Sequence, residues 1–148
     1  FVVAGPQYPD TIDWPANVTR IDHVGPADHP AFYAACRFTL NATRRDMVRA
    51  GHSPSVRLFE AAACGTPIIS DAWAGLDELF QPGRDILVAD DAEDVLAALL
   101  DMSESDRAAL AAHGRTRVLA AHTSVHRARQ LADHIATVER SAATAVPA

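Results

Sequence analysis

The sequence contains no lysine. Its thirteen basic residues are all arginines, a usage that goes with the abundant alanine, reflects GC-rich coding and carries no chemistry of its own. Cysteine is scarce. Cys36 and Cys64 both lie among apolar neighbours, which fits reduced, buried thiols of a cytoplasmic protein better than a disulfide. No apolar run approaches the length of a membrane span, and no charged-then-apolar leader opens the chain. Net charge is −6 and the pI near 5.5, so neither a nucleic-acid footprint nor a polybasic membrane surface is expected. G-x-S-x-G, the Walker loop and G-x-G-x-x-G are all missing, and "VAGP" after the first apolar run is too short for a dinucleotide fingerprint. The histidines His23, His29, His52, His113, His122, His126 and His134 lack metal-ligand spacing and read as solvated side chains. There is no internal repeat.

What is present is an ordinary globular composition: 49% apolar and 22% charged residues in a chain of 148, enough for one domain. The chain opens at Phe1, inside what reads as a strand, so we expect a fragment of a longer protein. Short apolar runs at 1–5, 18–25, 37–43, 66–70 and 86–89 predict strands. "PQYPDTIDWPAN" (6–17) is a loop rich in proline. Between the later strands the pattern predicts a helix from His29 to Cys36, with Asp28 as N-cap and Pro30 in the first turn. A second follows from Pro54 to Cys64, capped by Ser53 and ended by Gly65, after a basic connection over 44–52. "LDELF" (76–80) is a helical turn. Asp90 or Asp91 caps a helix whose Val95, Leu96, Leu99 and Leu100 share one face. Ser103 with Asp106 approximates a capping box for a helix to about Ala121, and a last helix runs from Thr123 or Ser124 to about Arg140.

Alternation of strand and helix implies βαβ units and a doubly wound, mainly parallel α/β sheet with a helical C-terminal extension. We expect a core over 1–102, C-terminal helices over 103–141 and a disordered tail over 142–148. In such sheets ligands bind outside the carboxyl ends of the strands. The first turn "SPSV" (53–56) would face that crevice, its free N–H groups favouring an anion such as phosphate. Arg57 and Glu60 lie three apart on one helix face. They form either a surface pair or, because "FEAAACGTPIIS" is nearly all apolar, a carboxylate with a ligand to bind. Trp73 either stacks on a base or sugar ring or anchors its loop.

The stretch "SPSVRLFEAAACGTPIISD" (53–71), followed by "AGLDELFQPGRDILVA" (74–89), resembles the donor-binding segment of GT-B glycosyltransferases. Within the group 1 superfamily it is most similar to the CgeB-like, spore-maturation-protein branch. The resemblance runs from about Phe1 to Ile135. It implies a Rossmann-like, N-terminally truncated C-terminal half of a GT-B fold that binds a nucleotide diphosphate sugar and needs no metal or other cofactor. Glu60 falls on the second glutamate of the E-x7-E motif, which accepts hydrogen bonds from the ribose hydroxyls. Ser53 and Ser55 would lie near the diphosphate or donor sugar. Gly75, Leu76 and Glu78 match a Gly-Gly-x-x-Glu loop whose backbone runs close to the donor.

Two departures stand out. His52 occupies the place of the first glutamate and would meet a sugar hydroxyl or remain a loop residue. The arginine and lysine that the superfamily places on the diphosphate would precede Phe1, leaving Arg57, Arg44, Arg45 or Arg49 to supply charge. The strand that carries them would lie between "FVVAG" and "RFTLNAT", so these two would face a gap, pair with each other or be covered. The last helix would be loosely held or expose an apolar stripe, because its counterpart packs on the missing N-terminal domain. The implied function is sugar transfer to an unknown acceptor, without turnover by this part alone. The rival, supported by His52, is a non-catalytic transferase-derived module that binds a nucleotide or a protein.

Overall fold

The computed structural model describes residues 1–6 and 8–144. The strands are β1 (Val2–Ala4), β2 (Thr19–Ile21), β3 (Thr39–Asn41), β4 (Ile68–Ser70) and β5 (Leu87–Val88). The helices are α1 (His29–Ala34), α2 (Arg45–Ala50), α3 (Val56–Ala63), α4 (Leu76–Leu79), α5 (Ala92–Leu100), α6 (Glu104–Ala121) and α7 (Ser124–Thr144). A 3-10 turn over Pro26–Asp28 leads into α1. All described strand pairs are parallel, as crossover connections require. The expected Rossmann-like α/β architecture is what the chain forms.

The sheet is divided. β3, β4 and β5 form one ladder, with Leu40 opposite Ile69 and Ile69 opposite Leu87. β1 and β2 form another, with Val3 opposite Arg20. Among the described residues β1 and β3 do not pair with each other.

β4 is buried at every position, which is why the stretch that leads to Ser70 is apolar rather than alternating. Over it packs α3, through Leu58, Ala61 and Ala62. The core continues through Tyr33, Ile68, Trp73, Leu76, Phe80, Ile86 and Val118. Each of the larger side chains contributes about 1.5–3 kcal/mol by leaving water. α6 lies against α3. Its Gly114 lets the helix approach so closely that a Cβ there would fall 2.7 Å from the Asp85 carbonyl oxygen. The start of α6 is tied down by Glu104, which pairs with Arg37 and Arg107.

Helix caps follow the sequence in part. Asp91 accepts from the backbone N–H groups of Glu93 and Asp94. Ser103 accepts from that of Asp106. Ser53, however, is not the cap of α3: the helix begins at Val56 with Ser55 as N-cap, and no side chain caps it. Asp28 stands at the N-cap of α1 in helical conformation, continuing the 3-10 turn, and its side chain caps nothing. The basic connection over 44–52 contains α2, whose residues are fair helix formers ended by Gly51 at φ 65°.

His122 also departs from expectation. It is packed against the rings of Phe59 and Phe80, with centroids 5.6 and 6.2 Å away, and its buried Nε2 has no hydrogen-bond partner among the described residues. α7 exposes the expected apolar stripe: Leu131 is 62% exposed, Ile135 50% and Val138 68%. The helix continues to Thr144, so residues 142–144 of the expected tail are helical, while 145–148 lie outside the described residues. No described helix is long and apolar enough to cross a membrane.

Candidate functional site

Three parallel strands ending side by side leave their last residues at one rim. There Asn41, the last residue of β3, and Ser70, the last of β4, are both fully buried. Asn41 donates from Nδ2 to Ser70 Oγ (3.0 Å) and Thr43 Oγ1 (3.2 Å). Asp71 accepts from the Thr43 backbone N–H at 3.0 Å and from its hydroxyl at 2.7 Å. This network satisfies the buried polar groups and fixes the rim.

α3 opens beside the rim. Its Arg57 donates from Nη1 to Asn41 Oδ1 at 3.3 Å. The guanidinium is thus oriented by a neutral amide, which leaves its charge uncancelled by that contact. One turn on, Glu60 faces α1. Its Oε2 accepts from the Tyr33 hydroxyl at 3.4 Å, and its Oε1 lies 3.5 Å from His29 Nδ1. His29 is held in turn by its Nε2, 3.1 Å from the Val24 carbonyl oxygen. Burial, followed by the nearby Glu60 charge, pushes the Tyr33 hydroxyl up to about 12, so Tyr33 remains a donor at any physiological pH. The Glu60 side chain keeps 38% of its exposure. It is engaged yet open to a ligand.

A second group forms where the link before α3 meets the loop before α4. The His52 backbone N–H donates to the Ala74 carbonyl at 2.7 Å. Its ring lies over Gly75, where a Cβ would sit 2.5 Å from Nδ1. Gly75 itself has φ 95° and serves as N-cap of α4, so only glycine fits there without strain. Glu78 Oε1 lies 3.7 Å from His52 Nδ1, both side chains being largely exposed.

The structure therefore brings His52, Gly75 and Glu78 together, and places Glu60 and Arg57 on successive turns of α3. Ser55 is the N-cap residue of α3, and Ser53 stands two residues before it, in the link from α2. Leu76 points its side chain into the core and donates its backbone N–H to Trp73 O at 3.2 Å. Trp73 is a buried loop anchor and not a stacking platform. Arg44, Arg45 and Arg49 are exposed, and Arg49 pairs with Asp46.

Sequence reasoning missed His29, Tyr33, Asn41 and Thr43. The i, i+4 spacing of His29 and Tyr33 put them on one helix face, but nothing linear pointed that face at Glu60. A groove of about 420 Å³ between β4, β5 and α5 is lined by Ile69, Leu87, Val88, Ala97 and Met102 among others. None of the candidate site residues lines it.

The fold is a Rossmann-like α/β domain like the C-terminal half of GT-B glycosyltransferases. A sucrose-phosphate synthase from Thermosynechococcus elongatus has a similar fold, with TM-score 0.66 and 22% identity over 84% of this chain and 31% of that one. So does HepE from Anabaena, solved in complex with UDP-glucose, with TM-score 0.64 and 19% identity over 82% of this chain and 33% of that one. The chain spans about a third of the length of each. No curated protein matches it. The sequence pattern of the glycosyl transferase-like family matches residues 1–133, and the chain belongs to that family.

Proposed function

We propose that this chain is the donor-binding part of a glycosyltransferase, which moves a sugar from a nucleotide diphosphate sugar to an acceptor. The observation that carries the reading is that α3 holds an oriented guanidinium and, one turn on, a half-open carboxylate, beside the carboxyl ends of β3 and β4. Glu60 would accept from the ribose hydroxyls. Arg57 and the uncapped N–H groups at the start of α3 would face the diphosphate and stabilise the negative charge that grows on it as the glycosidic bond breaks. His52, with Gly75 and Glu78, would lie towards the sugar. The binding of UDP-glucose by Anabaena HepE supports a nucleotide sugar as the ligand class. The CgeB-like branch remains our preferred place within the family, on the motif of residues 53–71.

Donor-sugar hydrolysis by the full-length protein, with and without candidate acceptors, tests the proposal. Measurable release that falls at least tenfold in Glu60→Gln is expected, since a hydrogen bond to a charged group contributes about 1.5–3 kcal/mol. No release under any condition, from a folded protein that binds nucleotide, would favour the non-catalytic module.

A further inference from the structure

Resting on the donor-site reading of Glu60, we propose that His29 and Tyr33 are positioning residues that hold its carboxylate so that the site selects a ribonucleotide over its 2′-deoxy counterpart. The two lie four apart at the start of α1 and therefore on one helix face. α1 packs on α3, and this brings both against Glu60. Each takes a different carboxylate oxygen: Tyr33 Oη is 3.4 Å from Oε2, and His29 Nδ1 is 3.5 Å from Oε1.

Both gripping groups are fixed from behind. The Tyr33 ring is buried in the core, and its backbone carbonyl accepts from the Thr66 hydroxyl at 2.6 Å. The Val24 carbonyl can only accept, so His29 Nε2 carries the proton in their 3.1 Å contact and Nδ1 is the atom turned to Glu60. His29 forms an ion pair with Glu60 only when its ring carries a second proton, on Nδ1.

An ionised carboxylate has about four acceptor positions. Tyr33 makes a long hydrogen bond and His29 an ion-pair contact, both beyond the usual hydrogen-bond distances, and they orient Glu60 while leaving one free position on each oxygen. A pair of hydroxyls on adjacent carbons supplies two donors for those two positions. The carboxylate is oriented before the ligand arrives, so the ligand does not lose affinity by ordering a flexible glutamate. A ligand lacking one hydroxyl leaves an acceptor unpaired, which is how a site built to bind a hydroxyl rejects the analogue without it. His29 and Tyr33 touch no ligand in this scheme. They act through Glu60.

The bland alternative is that the two side chains only steady a half-buried glutamate for the sake of the fold. The ratio of ribo- to deoxyribonucleotide affinity separates the two, because a purely structural defect weakens both ligands alike. We would titrate the full-length protein with UDP, GDP and ADP and with their 2′-deoxy counterparts. The variants are Glu60→Gln, His29→Gln and Tyr33→Phe, and each of the latter two combined with Glu60→Gln. Tyr33→Phe keeps the buried ring and serves if His29→Gln fails to fold, with thermal melting as the check.

The expected result is a ribose preference of about tenfold in the wild type, near the value of one charged hydrogen bond. It should vanish in Glu60→Gln and fall to about threefold or less in His29→Gln and Tyr33→Phe. Neither should lose more when combined with Glu60→Gln. If both single variants keep the wild-type ratio, or weaken both ligands equally, the positioning role is overturned while Glu60 and the donor site stand. Equal binding of both ligands by the wild type removes the diol contact. No nucleotide binding at all removes the donor-site reading, and the positioning role with it.

Discussion

Glu60 meets His29 and Tyr33 from one turn of α1, and the same logic of shared faces and close approaches governs the other residues that matter. His122 packs against Phe59 and Phe80. Burial, followed by the Arg127 and Arg117 charges, lowers its affinity for a proton. The unfolded chain then binds more protons than the folded one over the interval between the two pKa values, so stability rises with pH there. The neutral-His122 contribution is complete above the unfolded value of about 6.5. It is lost as pH falls through the lower folded value. Melting temperature should therefore drop on acidification from pH 7 to 5, and His122→Phe should flatten that part of the curve. An unchanged slope in a folded variant would remove His122 from the account.

Gly75 gives a second prediction. Gly75→Ala puts an L-residue at φ 95° and a methyl 2.5 Å from the His52 ring. The backbone strain costs about 1–2 kcal/mol, and the largely exposed His52 ring can swing away from the methyl. The variant should melt lower, and adding His52→Ala should restore only the part that comes from the clash. Glu60 and Arg57 could be singled out as candidates because they stand three apart in a nearly apolar helix, and Gly75 through the resemblance. His29 and Asn41 were not, because their meaning lies in contacts made across 31 and 16 positions of chain, to Glu60 and Arg57 respectively.

At the scale of elements, caps and small residues decide the packing. Asp91→Ala removes an acceptor from two backbone N–H groups and should destabilise by about 1 kcal/mol in denaturant unfolding. Gly114→Ala poses two opposed effects. Alanine improves a helix interior by about 1 kcal/mol, but the Asp85 carbonyl is backbone and gives way only at about 1–3 kcal/mol. The clash wins, and the variant should be less stable; a gain in stability would mean that α6 stands further off. Helices with both an apolar face and a cap were readable, and α5 and α6 began where their caps stood. α2 was not, because its six residues carry arginines and little apolar pattern, and Gly51 ends it almost as soon as it forms. Ser53 misled because a serine before proline carries a start signal, whereas the chain turns helical only at Val56.

For the whole molecule, the parallel α/β order followed from alternation of strands and helices, and the split into two ladders was among the outcomes the resemblance allowed. What the linear pattern left open was which of those outcomes holds, since strand order across a sheet depends on contacts far apart in sequence. The exposed Leu131, Ile135 and Val138 of α7 make few contacts to lose. Alanine at any of them should change the stability of this domain by less than about 0.5 kcal/mol.

Function at this scale rests on one claim, that the rim of β3, β4 and α3 holds a nucleotide through Glu60. Calorimetric titration of the full-length protein with UDP, GDP, ADP, TDP and their sugars, as wild type and Glu60→Gln, addresses it directly. The account predicts that one nucleotide series binds and that Glu60→Gln weakens it about tenfold or more, the equivalent of about 1.4 kcal/mol. A folded protein that binds none of them, or binds one equally well without the Glu60 carboxylate, would contradict it.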